Sequence, residues 1–153
     1  MESPTTKKKL KWVVFDLDGT LTAGRESVWQ RLHAKFGTKE ASQQYMKQFF
    51  DGQITYEQWA QLDTALWTGR EFREVMEVVE ATRLVDGAAE MISTLRASGV
   101  QAGIISGGLD VMAMRVAEQL SIAREDVRTN TLIVDPETNR LTGVSGVVCT
   151  WNN

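Results

Sequence analysis

Two carboxylates separated by one residue, Asp16 and Asp18, follow the apolar run Trp12-Val13-Val14-Phe15 and precede Gly19 and Thr20. Side chains two positions apart in an extended chain lie on one face, so both acids would emerge together at a strand's carboxyl end. Like charges that close repel, and a hard cation such as Mg2+ relieves the repulsion through oxygen ligands. The glycine permits a sharp turn or the close approach of a ligand. Asp, Gly and Thr are also ordinary turn residues, yet paired acids at the mouth of a hydrophobic strand point to a site.

A second set with chemical potential is Ile104-Ile105-Ser106-Gly107-Gly108. A strand that ends in a hydroxyl and two glycines, with a helix beginning at once, makes an anion site from backbone N–H groups and the helix N-terminus. Alone the pattern is equally good turn chemistry. Beside an Asp-x-Asp strand end it gains force, because ligands bind open α/β sheets outside the strands' carboxyl ends.

The elements that must position these residues read as follows. Residues 1–9 are polar and read as a tail. A first strand over 11–16, rich in β-branched and aromatic residues, is expected to be buried on both faces. Residues 25–84 change character and predict helices: Val28, Leu32 and Phe36 recur every four residues, with Ser27 as N-cap and Gly37 as stop. A second helix covers about 39–51. Thr55-Tyr56-Glu57-Gln58 fits a capping box opening a third, with Trp59, Leu62 and Leu66 on one side and Gly69 at its end. Phe72, Val75, Met76 and Val79 mark a fourth. This segment is too long for a simple loop. From Val85 helix and strand alternate: a helix with Met91, Ile92 and Leu95, a strand over 100–105, a helix to Leu120, a strand over 131–134, and a return ribbon over 141–149. Such units predict a parallel sheet with right-handed crossovers.

Composition bounds the rest. A chain of 153 residues with 42% hydrophobic and 24% charged residues is one ordinary globular domain or a small core with an insertion. A net charge of −3 argues against a nucleic-acid partner, and the run Lys7-Lys8-Lys9 with Lys11 reads as a solvated tail. Cys149 is alone, which excludes a disulfide framework or a cysteine metal site. The absence of a signal peptide and of any membrane-length apolar run leads us to expect a cytoplasmic protein with no membrane partner. His33 is the single histidine and reads as partly exposed; Trp29, Trp59 and Trp67 read as packing residues.

Asp16-Leu17-Asp18-Gly19-Thr20-Leu21 is similar to the DxDGT(L/V) signature of the haloacid dehalogenase (HAD) superfamily, and the layout resembles its phosphoserine-phosphatase-like branch over about residues 12–148. The resemblance implies an α/β fold, a HAD-like Rossmannoid parallel sheet with an inserted α-helical cap: residues 10–24 and 85–153 as core, 25–84 as cap. It implies a Mg2+-dependent phosphomonoester phosphatase acting on a small phosphorylated metabolite. Asp16 would be the nucleophile and Asp18 the general acid and base. The Asp16 carboxylate and the Asp18 carbonyl would bind Mg2+, and Ser106, Gly107 and Thr20 would hold the phosphoryl group. In the cap, Arg25 and Glu26 lie near the place of a substrate-binding glutamate, while the place of the substrate-binding arginine holds Asp63. An acid cannot pair with a substrate carboxylate at neutral pH, which argues against phosphoserine.

The family's third-motif lysine and its later Gly-Asp-Gly-x-x-Asp segment are not identifiable. The chain therefore reads as a HAD protein truncated at its C-terminus, with an incomplete sheet whose first strand leaves an apolar edge open to a homodimer or another partner. The alternative function is a catalytically impaired fragment that binds a phosphorylated ligand or a partner chain.

Overall fold

A computed structural model describes residues 9–148 of the chain. The N-terminal tail up to Lys8, and Cys149 at the end of the expected ribbon, lie outside the described residues. The elements run β1 (Trp12–Phe15), α1 (Val28–Phe36), α2 (Lys39–Phe50), α3 (Tyr56–Ala65), α4 (Phe72–Ala81), α5 (Ala88–Ala97), β2 (Gln101–Leu109), α6 (Asp110–Gln119), β3 (Val127–Val134) and β4 (Leu141–Ser145). The fold is α/β, as expected. One sheet has the order β1-β2-β3-β4; the first three strands are parallel and β4 runs antiparallel to β3.

The short strand β1 contradicts the expectation of burial on both faces. It is an edge strand, and Trp12 and Val14 are 42% and 53% exposed. Its apolar run reflects β-propensity as much as burial, because among the described residues it pairs with β2 alone. The core forms instead around Leu17, Leu21, Ile104, Leu109, Met112 and Val116, all buried, with α6 packed on β2 and β3.

The helical segment follows its sequence signals closely at its starts. Ser27 accepts from Gln30 N–H and Thr55 from Gln58 N–H, and both capping boxes close reciprocally. Gly37, at φ 71°, ends α1 in the left-handed conformation that glycine adopts without strain. The ends and faces differ more. Helix α3 stops at Ala65 rather than Gly69, and its buried residues are Ala60, Asp63 and Thr64 rather than Trp59, Leu62 and Leu66. Helix α2 buries no residue fully. His33, expected to be partly exposed, is 2% exposed. It sits against the indole of Trp67, ring centroids 4.7 Å apart, and its Nδ1 lies 2.7 Å from Thr38 Oγ1. Periodicity places a residue on a face but does not tell which face a neighbouring helix covers. Trp67 is fully buried and serves packing, as its spacing suggested.

The boundary between β2 and α6 also differs. The strand continues through Ser106, Gly107 and Gly108 to Leu109, and the helix begins at Asp110. Ile105 pairs with Arg128 and Leu109 with Asn130, so four residues of β2 advance while β3 advances two. Ser106-Gly107-Gly108 is the slack in that register: a bulge that bends the strand where it meets the acids of β1. Strand β3 starts at Val127, four residues earlier than the sequence suggested.

Candidate active site

Parallel pairing of β1 and β2 sets Phe15 opposite Ile104. The acids following Phe15 and the bulge following Ile105 therefore meet at one end of the sheet. Asp16 is exposed, and its Oδ1 accepts the Leu17 N–H at 2.7 Å. Beyond it the chain coils tightly: the Leu17 carbonyl receives the N–H groups of Thr20, Leu21 and Thr22 at 3.2, 3.0 and 3.1 Å. Gly19, at φ 76°, makes that coil without strain, and the exposed Thr20 lies on it.

Asp18 is held from two sides. Its Oδ1 accepts the Val28 N–H at 3.2 Å, at the start of α1. A β-carbon placed on Gly108 would stand 3.1 Å from Asp18 Oδ2 and 3.3 Å from Ser106 Oγ, so the absent side chain lets the strand approach the acid. Ser106 is buried, and its Oγ accepts the Gly108 N–H at 3.1 Å. Burial pushes the Asp18 carboxyl from its ordinary 3.8 up to about 6; the Val28 N–H opposes this, the Asp16 charge adds to it, and Arg31 offsets it.

Four further side chains support the bulge, and two of them, Asn130 and Thr129, carry no local sequence signal. Asn130, fully buried on β3, donates from Nδ2 to the Gly107 carbonyl at 2.9 Å, and Thr129 Oγ1 donates to the Gly108 carbonyl at 2.9 Å. From the helical segment, Trp29 Nε1–H and the Tyr56 hydroxyl donate to the same Gly107 carbonyl at 2.9 and 3.2 Å. Arg31, beside the acidic loop, is a further residue not anticipated from the sequence. It donates to the Ala23 carbonyl at 2.8 Å and to Thr82 Oγ1, which keeps a cation beside the acidic loop. Its place one turn after the N-cap Ser27 was the available signal.

The helix N-terminus expected to complete an anion site is displaced. Asp110 occupies the first turn of α6 and its Oδ1 takes the N–H groups of Val111 and Leu132, each at 3.0 Å. A carboxylate there occupies one N–H of the helix end and competes with an incoming anion for its positive charge.

Among the described residues no group of three or more His, Cys, Asp or Glu side chains converges on a metal position. The two acids nevertheless fit Mg2+, which is commonly held by one or two carboxylates together with waters and substrate phosphate oxygens. Glu26 lines a cavity of about 550 Å3 beside the site, whereas Arg25 is exposed and does not line it.

An Asp-x-Asp strand end, a buried serine on the neighbouring parallel strand and a helical segment between them define a class of hydrolase scaffold. A profile of the haloacid dehalogenase-like hydrolases matches residues 10–138, and the chain belongs to that family. It is similar to the phosphoserine phosphatase of Methanocaldococcus jannaschii, 27% identical over 147 residues that make up 95% of this chain and 67% of that one. It is also similar to the phosphoserine phosphatase of Streptomyces coelicolor, 28% identical over 90% of this chain and 33% of the other. Among solved structures, a phospho-aspartyl intermediate analogue of phosphoserine phosphatase superposes with a TM-score of 0.74 at 26% identity, covering 91% of this chain and 64% of that chain. The chain thus spans one third to two thirds of the length of these relatives.

Proposed function

We propose that the chain carries the phosphoryl-transfer site of a Mg2+-dependent phosphomonoester phosphatase, with α1–α4 as its cap. The observation that carries this reading is the convergence of Asp18 Oδ2 and Ser106 Oγ on the open side of Gly108, next to Asp16. In the first step Asp16 Oδ2 attacks phosphorus, an aspartyl-phosphate bond forms, and the bond from phosphorus to the leaving oxygen breaks. Asp18 gives that oxygen its proton; a carboxyl held near 6 keeps a protonated fraction at neutral pH that an ordinary aspartate would lack. In the second step the ionised Asp18 takes a proton from water, which attacks phosphorus and releases Asp16. Ser106 and the bulge hold the phosphoryl oxygens. Asp16 and the Asp18 carbonyl would hold Mg2+, which when bound offsets the repulsion between carboxylates and phosphate.

A second reading rests on the sheet edge. Trp12 and Val14 are exposed on β1, whose outer side has no partner strand among the described residues. A chain with that edge can bind a partner strand, its own copy included, and act as a catalytically impaired binder of phosphorylated ligands.

Hydrolysis of an aryl phosphate by the purified chain, with and without Mg2+ and beside Asp16→Asn, separates the two. Metal-dependent turnover lost in the variant supports the enzyme. No turnover by protein that is folded by circular dichroism supports the binder.

A further inference from the structure

The cavity beside the site is walled by α1, α2 and α3, and three of its residues are aromatic: Trp29, Tyr56 and Trp59. It abuts the phosphoryl-transfer residues, because Trp29 and Tyr56 bond the Gly107 carbonyl and Ser27, on its wall, precedes the Val28 N–H that holds Asp18.

Asp63 lines this cavity while only 4% exposed. Its Oδ2 lies 3.3 Å from His33 Nε2, and neither that nitrogen nor Asp63 Oδ1 has a hydrogen-bond partner. The histidine is fixed from behind by Thr38 and by the Trp67 indole N–H, 3.3 Å from Nδ1, so it cannot swing to serve Oδ1. A buried carboxylate oxygen left unpaired costs several times what a satisfied one contributes. The indole N–H of Trp59, on the same wall, is likewise buried without a partner. Lys39, at the exposed margin, is the one Lys or Arg among the described lining residues.

We propose that this cavity receives the leaving alcohol of the substrate, and that the alcohol carries a positively charged amine and no carboxylate. The inference rests on the phosphatase reading for the words "leaving alcohol"; the preference for a cation rests on the cavity alone. Asp63 supplies the counter-charge on the cavity wall, and the aromatic faces favour a cation over an equally large neutral group. A carboxylate would face Asp63 with no buried guanidinium to offset the repulsion.

The test is calorimetric titration of the full chain with choline, with its uncharged isostere 3,3-dimethylbutan-1-ol, and with glycolate. Choline should bind at least about tenfold more tightly than the isostere, with glycolate weakest. Asp63→Asn should narrow the ratio to within about threefold. If that variant fails to fold, Trp59→Leu should narrow it instead by removing one aromatic wall. Equal binding of choline and isostere, tighter binding of glycolate, no binding of choline, or an unchanged ratio in the folded variants overturns the inference. Aryl phosphate turnover without charge-selective binding overturns the cavity inference and spares the phosphatase reading. Charge-selective binding without turnover does the reverse.

Discussion

The Val28 N–H, at the first turn of α1, donates to Asp18 Oδ1 at 3.2 Å. The acid proposed to move the proton is thus tied to the start of the segment proposed to cover it. That tie lowers the acid's pKa, yet burial outweighs it and the carboxyl stands near 6.

This balance has a consequence for stability in metal-free protein. A carboxyl at 3.8 when unfolded and about 6 when folded binds its proton more tightly in the native state. Its contribution is therefore fully present below pH 4 and is lost as pH rises through 6. The loss is at most about 3 kcal/mol, reduced by the solvent that reaches this half-buried group. Asp18→Asn should raise the urea midpoint at pH 7, flatten its dependence between pH 4 and 6, and abolish turnover. A variant less stable than the parent at pH 7 would contradict the assignment.

Trp29→Phe keeps the ring and deletes the N–H that reaches Gly107. Asn130 and Tyr56 still fill both lone pairs of that carbonyl, so the loss in denaturant unfolding should stay below about 1 kcal/mol. Turnover of an aryl phosphate should fall about three- to tenfold, since a misplaced phosphoryl-binding turn loses orientation. Tyr56→Phe, whose hydroxyl is the more distant donor, should cost less on both measurements.

Gly108→Ala tests the close approach of β2 to Asp18. The new methyl group would press on Asp18 Oδ2 at 3.1 Å and on Ser106 Oγ at 3.3 Å. Turnover should fall on the order of a hundredfold, with far-UV circular dichroism unchanged and about 1–3 kcal/mol of stability lost to overpacking. Parent-like turnover would show that these atoms do not act together.

Asn130→Ala removes a donor to Gly107 and the acceptor that takes the Val148 N–H at 3.0 Å. Trp29 and Tyr56 still reach the Gly107 carbonyl and Val148 is exposed, so the cost is mainly that of the lost buried amide, and about 1–2 kcal/mol is expected in urea unfolding. Asn130→Asp keeps the acceptor but sets a carboxylate against a carbonyl, and should be no more stable than the alanine variant.

Much of this was readable from local patterns. The strand–loop acids, both capping boxes and the alternation of helix and strand after Val85 are short-range signals, and each appears where its residues stand. What escaped depends on residues far apart in sequence. Asn130 is an unremarkable residue within a strand until β2 bulges against it, and the burial of His33 and Asp63 follows from α1 and α3 meeting, which no periodicity within either helix encodes. The exposure of β1 depends on which strands lie beside it, and the position of the α6 start depends on a register slip between β2 and β3.

The Gly107 carbonyl has two lone pairs and three donors: Asn130 from the sheet, Trp29 from α1 and Tyr56 from α3. One donor is always surplus. Parting a lid from its floor ordinarily strands an acceptor in a dry place, and that cost resists opening. Here the first of the two lid donors can leave while the oxygen stays fully bonded. Lifting α1 and α3 from this oxygen would therefore be nearly free in hydrogen-bond terms for the first donor and not for the second.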